Sequence, residues 1–114
     1  MQIVRDRITI DELKKMSETM YNSLVKAVVD VEKKIMAVDM EMHADGEMVM
    51  LEEEGSNQED LWGINIHPEL EGDGLIEFDS MINIRPSQGN RTRNVDNKDV
   101  REKIKQIIFK LVVQ

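Results

Sequence analysis

No cysteine occurs in the 114 residues, so disulfides, thiolate metal sites and cysteine nucleophiles are excluded outright. An intracellular setting is the expectation. The opening residues Met1-Gln2-Ile3-Val4-Arg5-Asp6-Arg7 lack the apolar core of a signal peptide, and no run approaches the roughly 20 apolar residues of a membrane span. The chain therefore reads as a cytoplasmic protein with no membrane role. Also missing is positive charge in the middle of the chain. Residues 35–84 hold 14 Asp and Glu and not one Lys or Arg, whereas residues 1–34 sum to +1 and residues 85–114 to +5. Such a molecule repels a long polyanion over most of its surface, which argues against extended nucleic-acid binding while permitting a small local anion site. The plainer reading is an acidic surface that keeps the chain in solution.

Catalytic signatures are sparse as well. No H-E-x-x-H or paired Cys/His spacing supports zinc, Ser87 has no G-x-S-x-G context, and Gly72-Asp73-Gly74 lacks both G-x-G-x-x-G and a following helix. No catalytic residue and no cofactor is assigned.

What is present is a single domain over residues 1–114, with 40% hydrophobic residues to build its core. Thr9 with Glu12 forms a capping box, and Ile10, Leu13, Met16, Met20 and Leu24 give one apolar stripe, so a helix is predicted over roughly residues 10–22. Val25, Ala27, Val29 and Val31 then alternate with Lys26, Val28, Asp30 and Glu32. Met36, Val38, Met40 and Met42 do the same after the Glu32-Lys33-Lys34 turn, which predicts a hairpin. Asp45-Gly46 reads as a further turn before a short strand over Met48–Leu51, and Leu61–Ile66 as a strand stopped by Pro68. The fifth strand is an alternating run from Leu75 to Arg85, with Ile76, Phe78, Ser80, Ile82 and Ile84 on its core side. Asp96 or Asn97 caps a last helix over roughly 97–112 whose stripe is Val100, Ile104, Ile107, Ile108 and Leu111. Ile3 and Val4 add at most a short edge strand. The pattern is α+β: a two-layer sandwich of about five antiparallel strands in a meander, with the N-terminal and C-terminal helices on one face. Of the nine methionines, several fall on inward strand positions, Met36, Met40 and Met42, and read as gap-filling core.

Two places could carry chemistry. The stretch after the fifth strand holds Arg85, Ser87, Gln88, Gly89, Asn90, Arg91 and Arg93 with no acid between them. Guanidinium forks match phosphate and carboxylate, and glycine lets backbone approach a ligand, so these are the parts of an anion cradle. The competing reading is that the arginines pair with the acids of their own chain. The other place is the outward sheet face, which carries Asp30, Glu32, Asp39, Glu41, His43, Asn65, His67, Glu77, Asp79, Asn83 and Arg85. Asp39, Glu41 and His43 are its metal candidates. Residues two apart on a strand lie roughly 6.8 Å apart, so these three cannot bind one ion without cross-strand help, and a solvated face is the simpler account.

The strings Leu61-Trp62-Gly63-Ile64-Asn65-Ile66 and Phe78-Asp79-Ser80-Met81-Ile82-Asn83-Ile84-Arg85-Pro86-Ser87-Gln88-Gly89-Asn90-Arg91 resemble a family of small uncharacterised prokaryotic proteins, a domain of unknown function. The likeness spans nearly the whole chain and implies a self-standing protein. It brings no activity, cofactor or site residue with it. Three functions follow from the residues themselves: a non-enzymatic module binding a small anion or phosphate-containing ligand at the arginine loop, a metal-dependent hydrolase using the sheet-face carboxylates with His43 or His67, and a homo-oligomerising structural protein.

Overall fold

The computed structural model describes residues 1–19 and 23–114. In chain order the elements are β1 (Gln2–Val4), β2 (Ile8–Thr9), α1 (Ile10–Glu18), β3 (Val25–Asp30), β4 (Ile35–Val38), α2 (His43–Glu53), β5 (Leu61–Ile66), β6 (Ile76–Glu77), α3 (Lys98–Leu111) and β7 (Val112–Val113). The fold is α+β, with a five-stranded antiparallel sheet in the order β1-β4-β3-β5-β6. β2 and β7 form a separate two-stranded parallel pair that ties the entry of α1 to the exit of α3.

The terminal helices follow their local signals. The Thr9 hydroxyl accepts from the Glu12 N–H at 3.1 Å, and the Asn97 side chain accepts from Asp99 N and Val100 N, each satisfying donors that the first helical turn leaves open. The predicted last turn of α1, residues 20–22, lies outside the described residues. Leu13 of α1 and Ile104, Ile107, Ile108 and Leu111 of α3 pack on Val25, Ala27, Val29, Met36, Val38, Ile64 and Ile66, giving the main core. Each such aliphatic side chain contributes about 1.5–3 kcal/mol by leaving water.

The opposite sheet face is not simply wet. Residues 43–53, read in part as a turn and a strand over Met48–Leu51, are helix α2. His43, Gly46 and Met50 are its buried positions, spaced three and four apart, and Met50 joins Val28, Ile35, Ala37, Met40 and Leu61 in a second core. The Asp45-Gly46 pair marks no turn. Gly46 is the point where helix and sheet touch, since a Cβ there would collide with the end of Met40 and lie 2.9 Å from Val28 Cγ2. Asp39 explains why Met40 serves this second core: its φ of 68° ends the pleat of β4, so the residues beyond it leave the alternation. Met36 stays in the main core, while Met42 is exposed. Asp30, expected on the solvated face, is buried. Its carboxylate accepts from Glu32 N and Lys33 N at 2.9 Å and from Ser56 Oγ at 2.6 Å, closing the β3–β4 turn.

The long fifth strand is also corrected. Only Ile76–Glu77 pairs with β5, after which the chain makes single 3-10 turns at Met81–Asn83 and Pro86–Gln88. Ile76 and Phe78 belong to the main core, Ile82 packs against the second core, and Ile84 is exposed. Between Phe78 and Ile82 the chain crosses the sheet edge. One side chain replaces the missing ladder and another caps the turn. Asn83 Oδ1 accepts from Gly63 N at 2.9 Å while its Nδ2 donates to Gly63 O at 3.0 Å, and the Ser80 hydroxyl accepts from Ile82 N. Gly63 makes room, because a Cβ there would lie 2.5 Å from Ser80 Cβ and Oγ.

Candidate functional site

The arginine loop is built as architecture. The Arg85 guanidinium carbon lies 4.3 Å from the centre of the Trp62 ring, and its nitrogens donate to the carbonyls of Ile82 (3.1 Å), Gln58 (2.6 Å) and Leu61 and to Gln88 Oε1 (3.2 Å). Burial pulls its pKa down from the ordinary value, yet a guanidinium keeps its proton throughout the physiological range. Gln88 donates to Glu59 O, Gly89 takes a left-handed φ of 82° to close the turn, and Ser87 is exposed. Asn90, buried, donates to the carbonyls of Asn83, Thr92 and Asn94 and accepts from Asp96 N, so one amide holds the whole loop. Arg93 pairs with Asp79 at 2.6 Å. Arg91 is exposed and offers its backbone N–H to Asp96. The three guanidinium groups do not converge. A concavity of about 360 Å³ beside the loop is lined by Trp62, Gln88, Gly89, Asn90 and Asp96 but by no arginine.

The larger cavity, about 550 Å³, lies on the outward sheet face. It gathers Lys26 from β3, Glu41 just before α2, His43 from its first turn, Asn65 from β5, His67 just after it, Glu77 from β6, and Asp79 and Arg93 from the crossing segment and the loop. Cross-strand pairing accounts for this grouping, since Asn65 stands opposite Lys26 on one side and Glu77 on the other. Leu24, Met42, Ala44, Met81 and Ile82 supply apolar wall. Several residues of the face read from sequence thus share one site. Asp39 does not line it, and among the described residues no three His, Asp or Glu come together as metal ligands.

Hydrogen bonds fix the floor of the cavity. Glu77 Oε1 accepts from Asn65 Nδ2 at 2.9 Å and lies 3.1 Å from His67 Nε2. The Asn65 bond, then His67 and the nearby charge of Lys26, hold the Glu77 carboxyl below its ordinary pKa despite some burial. His43 Nε2 is 2.8 Å from Ile64 O. A carbonyl can only accept, so Nε2 carries the proton and Nδ1 keeps its lone pair. Burial lowers the His43 pKa, with Lys26 and Arg93 pushing the same way against the bond to Ile64 O and the charge of Asp79, so the ring is a neutral donor and acceptor at neutral pH. Asn65 is 5% exposed, and its Oδ1, closed to solvent beneath a polar site, has no hydrogen-bond partner among the described residues. Lys26 makes no ion pair within 4.0 Å among the described residues. Sequence reading placed most of these residues on the outward face but ranked the loop above them. The pairing register of β3, β5 and β6, which concentrates them, has no local signal.

A family model described as protein of unknown function, DUF5674, matches residues 2–111. No curated protein and no solved structure matches the chain.

Proposed function

Because the chain belongs to DUF5674, a family of unknown function that brings no ligand with it, we propose from the chain's own geometry that it is a non-enzymatic binding module. Its ligand is a small molecule carrying a carboxylate or phosphate and at least one hydrogen-bond donor. The site is the 550 Å³ cavity on the outward sheet face. The observation that carries this reading is the combination of an unpaired Lys26 with a buried, unpartnered Asn65 Oδ1 among the described residues lining one concavity. A buried acceptor without a partner costs about 1–3 kcal/mol, so a ligand donor that meets Oδ1 once the amide turns toward the cavity recovers free energy that an apolar molecule would not. The arginine loop enters through Arg93 at the wall, while Arg85 and Asn90 hold the loop's shape. Glu41, Glu77 and Asp79 outnumber the two cations, Lys26 and Arg93, which favours a ligand with both an anionic and a donor end over a multiply charged phosphate.

The test is an amide NMR titration with glutamate and, separately, inorganic phosphate. Glutamate is expected to shift the amides of Lys26, Asn65 and Glu77, saturating at roughly millimolar concentration, and Lys26→Met to weaken it by about tenfold. Shifts that gather on Arg91 and Ser87 instead, or a Lys26→Met variant that binds unchanged, overturn the cavity as the site.

A further inference from the structure

The basic end of this acidic chain forms one wall of a second cleft. A concavity of about 270 Å³ is lined by Arg5 and Asp6 from the link between β1 and β2, Lys34 from the β3–β4 turn, and Gln106 and Lys110 from α3. A neighbouring one of about 380 Å³ shares Lys34, Gln106 and Ile107 with it and adds Glu32 and Lys103. Shared walls make the two a single cleft, and none of its residues lines the sheet-face cavity.

The charge in this cleft is the reverse of that in the sheet-face cavity. Four cations stand there against two carboxylates, Asp6 and Glu32. Arg5 is committed to Glu54 at 2.8 Å, whereas Lys34, Lys103 and Lys110 make no ion pair within 4.0 Å among the described residues. With the Arg5 pair set aside, the ammonium groups still outnumber the acids.

Lys34 is the residue common to both halves. Its φ of 60° lies in the left-handed region, where glycine sits without strain, and its N–H donates to Asp30 O at 2.9 Å to close the turn. Backbone strain is thus accepted at a position that puts a cation at the junction of the two concavities. Lys103 lines one half and Lys110 the other, and their seven-residue separation on α3 sets them about 10 Å apart along the helix axis. One phosphate group meets only one of them. A chain of phosphates meets both. The floor residues Ile107 and Leu111 are buried, so the cleft offers little apolar area to a peptide or a lipid and holds its ligand by charge and hydrogen bonds. The acidic remainder of the surface repels any polyanion longer than the cleft.

We infer that this cleft binds a small molecule carrying two or three linked phosphates, whose oxygens meet Lys34 at the centre, Lys103 and Lys110 at the two ends, and the Gln106 amide between them. It is a second site and does not rest on the reading of the sheet-face cavity.

The probe is inorganic tripolyphosphate, titrated by amide NMR at constant ionic strength, with orthophosphate as the comparison. Tripolyphosphate is expected to shift the amides of Lys34, Gln106 and Ile107 and to saturate at roughly 0.1 mM, with orthophosphate weaker by about tenfold or more. Lys34→Gly separates binding from folding, because glycine suits the left-handed φ: the melting temperature should hold or rise while affinity for tripolyphosphate falls about tenfold. Lys103→Gln combined with Lys110→Gln, both at exposed positions, should weaken binding as much, and Lys26→Met should leave it unchanged. Equal affinity for the two anions, or a Lys34→Gly variant that binds as before, would overturn the inference. So would tripolyphosphate shifts centred on Lys26, Asn65 and Glu77 or on the arginine loop. If glutamate moves the sheet-face amides and tripolyphosphate moves nothing around Lys34, the first reading stands and this one falls.

Discussion

At the scale of single residues, one asparagine does what a strand would otherwise do, and a second shapes the loop beside it. Gly63 on β5 has neither its N–H nor its C=O paired to a neighbouring backbone on the outer side, and Asn83 meets both with one amide while also donating to Arg93 O at 3.0 Å. Asn90 then gathers three carbonyls and one N–H around the loop. Removing such an amide leaves several buried groups unpaired, which costs more than the hydrogen bonds themselves contributed. Asn83→Ala is expected to lower unfolding free energy by about 2–4 kcal/mol in urea titration. A loss under about 0.5 kcal/mol would mean that water reaches Gly63 and the amide is dispensable.

Among the elements, α2 was the one that local patterning concealed. The signals that mark α1 and α3 are a capping side chain and one apolar stripe against polar residues, and both helices formed where those signals stand. In α2 the cap, Met42, makes no side-chain hydrogen bond and hydrophobes lie on both sides, so no period emerges and a glycine after an aspartate imitates a turn. Gly46 is instead a contact point, which sets two effects against each other in Gly46→Ala. Alanine improves helix propensity by about 1 kcal/mol, but overpacking a tight contact costs about 1–3 kcal/mol. Met40 can swing aside, whereas Val28 sits on the central strand β3, between β4 and β5. Overpacking should win, with a net loss of about 1 kcal/mol measured by chemical denaturation. A more stable variant would show that α2 can lift off the sheet at no cost.

For the molecule as a whole, proton linkage offers a test of the outward cavity's electrostatics. His43 has its pKa lowered by burial and by Lys26 and Arg93, with Asp79 opposing, so the folded state declines a proton that the unfolded chain takes up below about pH 6.5. Its contribution is therefore fully present above that pH and is lost as pH falls through the depressed folded value. Melting temperature should begin to decline just below pH 6.5, and His43→Gln, which can still donate to Ile64 O, should flatten that decline. The carboxyls of Glu54, Glu77 and Asp96 are held low by their hydrogen bonds, so loss from them sets in only as pH falls through the ordinary carboxylate range, below the onset of the histidine effect. If wild type and His43→Gln trace the same curve between pH 5 and 7, the histidine is not the buried group its surroundings indicate.

What the amino-acid order determined by itself is whatever rests on near neighbours along the chain: the caps at Thr9 and Asn97, the stripes of α1 and α3, the alternation of β3, β4 and β5, and the acidic middle with its basic end. Tertiary structure alone decided the rest, because it depends on partners distant in sequence. Gly63 leaves a space that Ser80 and Ile82 enter, Asn83 substitutes for a strand, and Trp62 with the carbonyls of Gln58 and Leu61 claims Arg85 before any ligand could. The same long-range register set Lys26, Asn65 and Glu77 side by side. A guanidinium or an amide has the same local appearance whether it will bind a ligand or its own backbone, and only the fold supplies the partner.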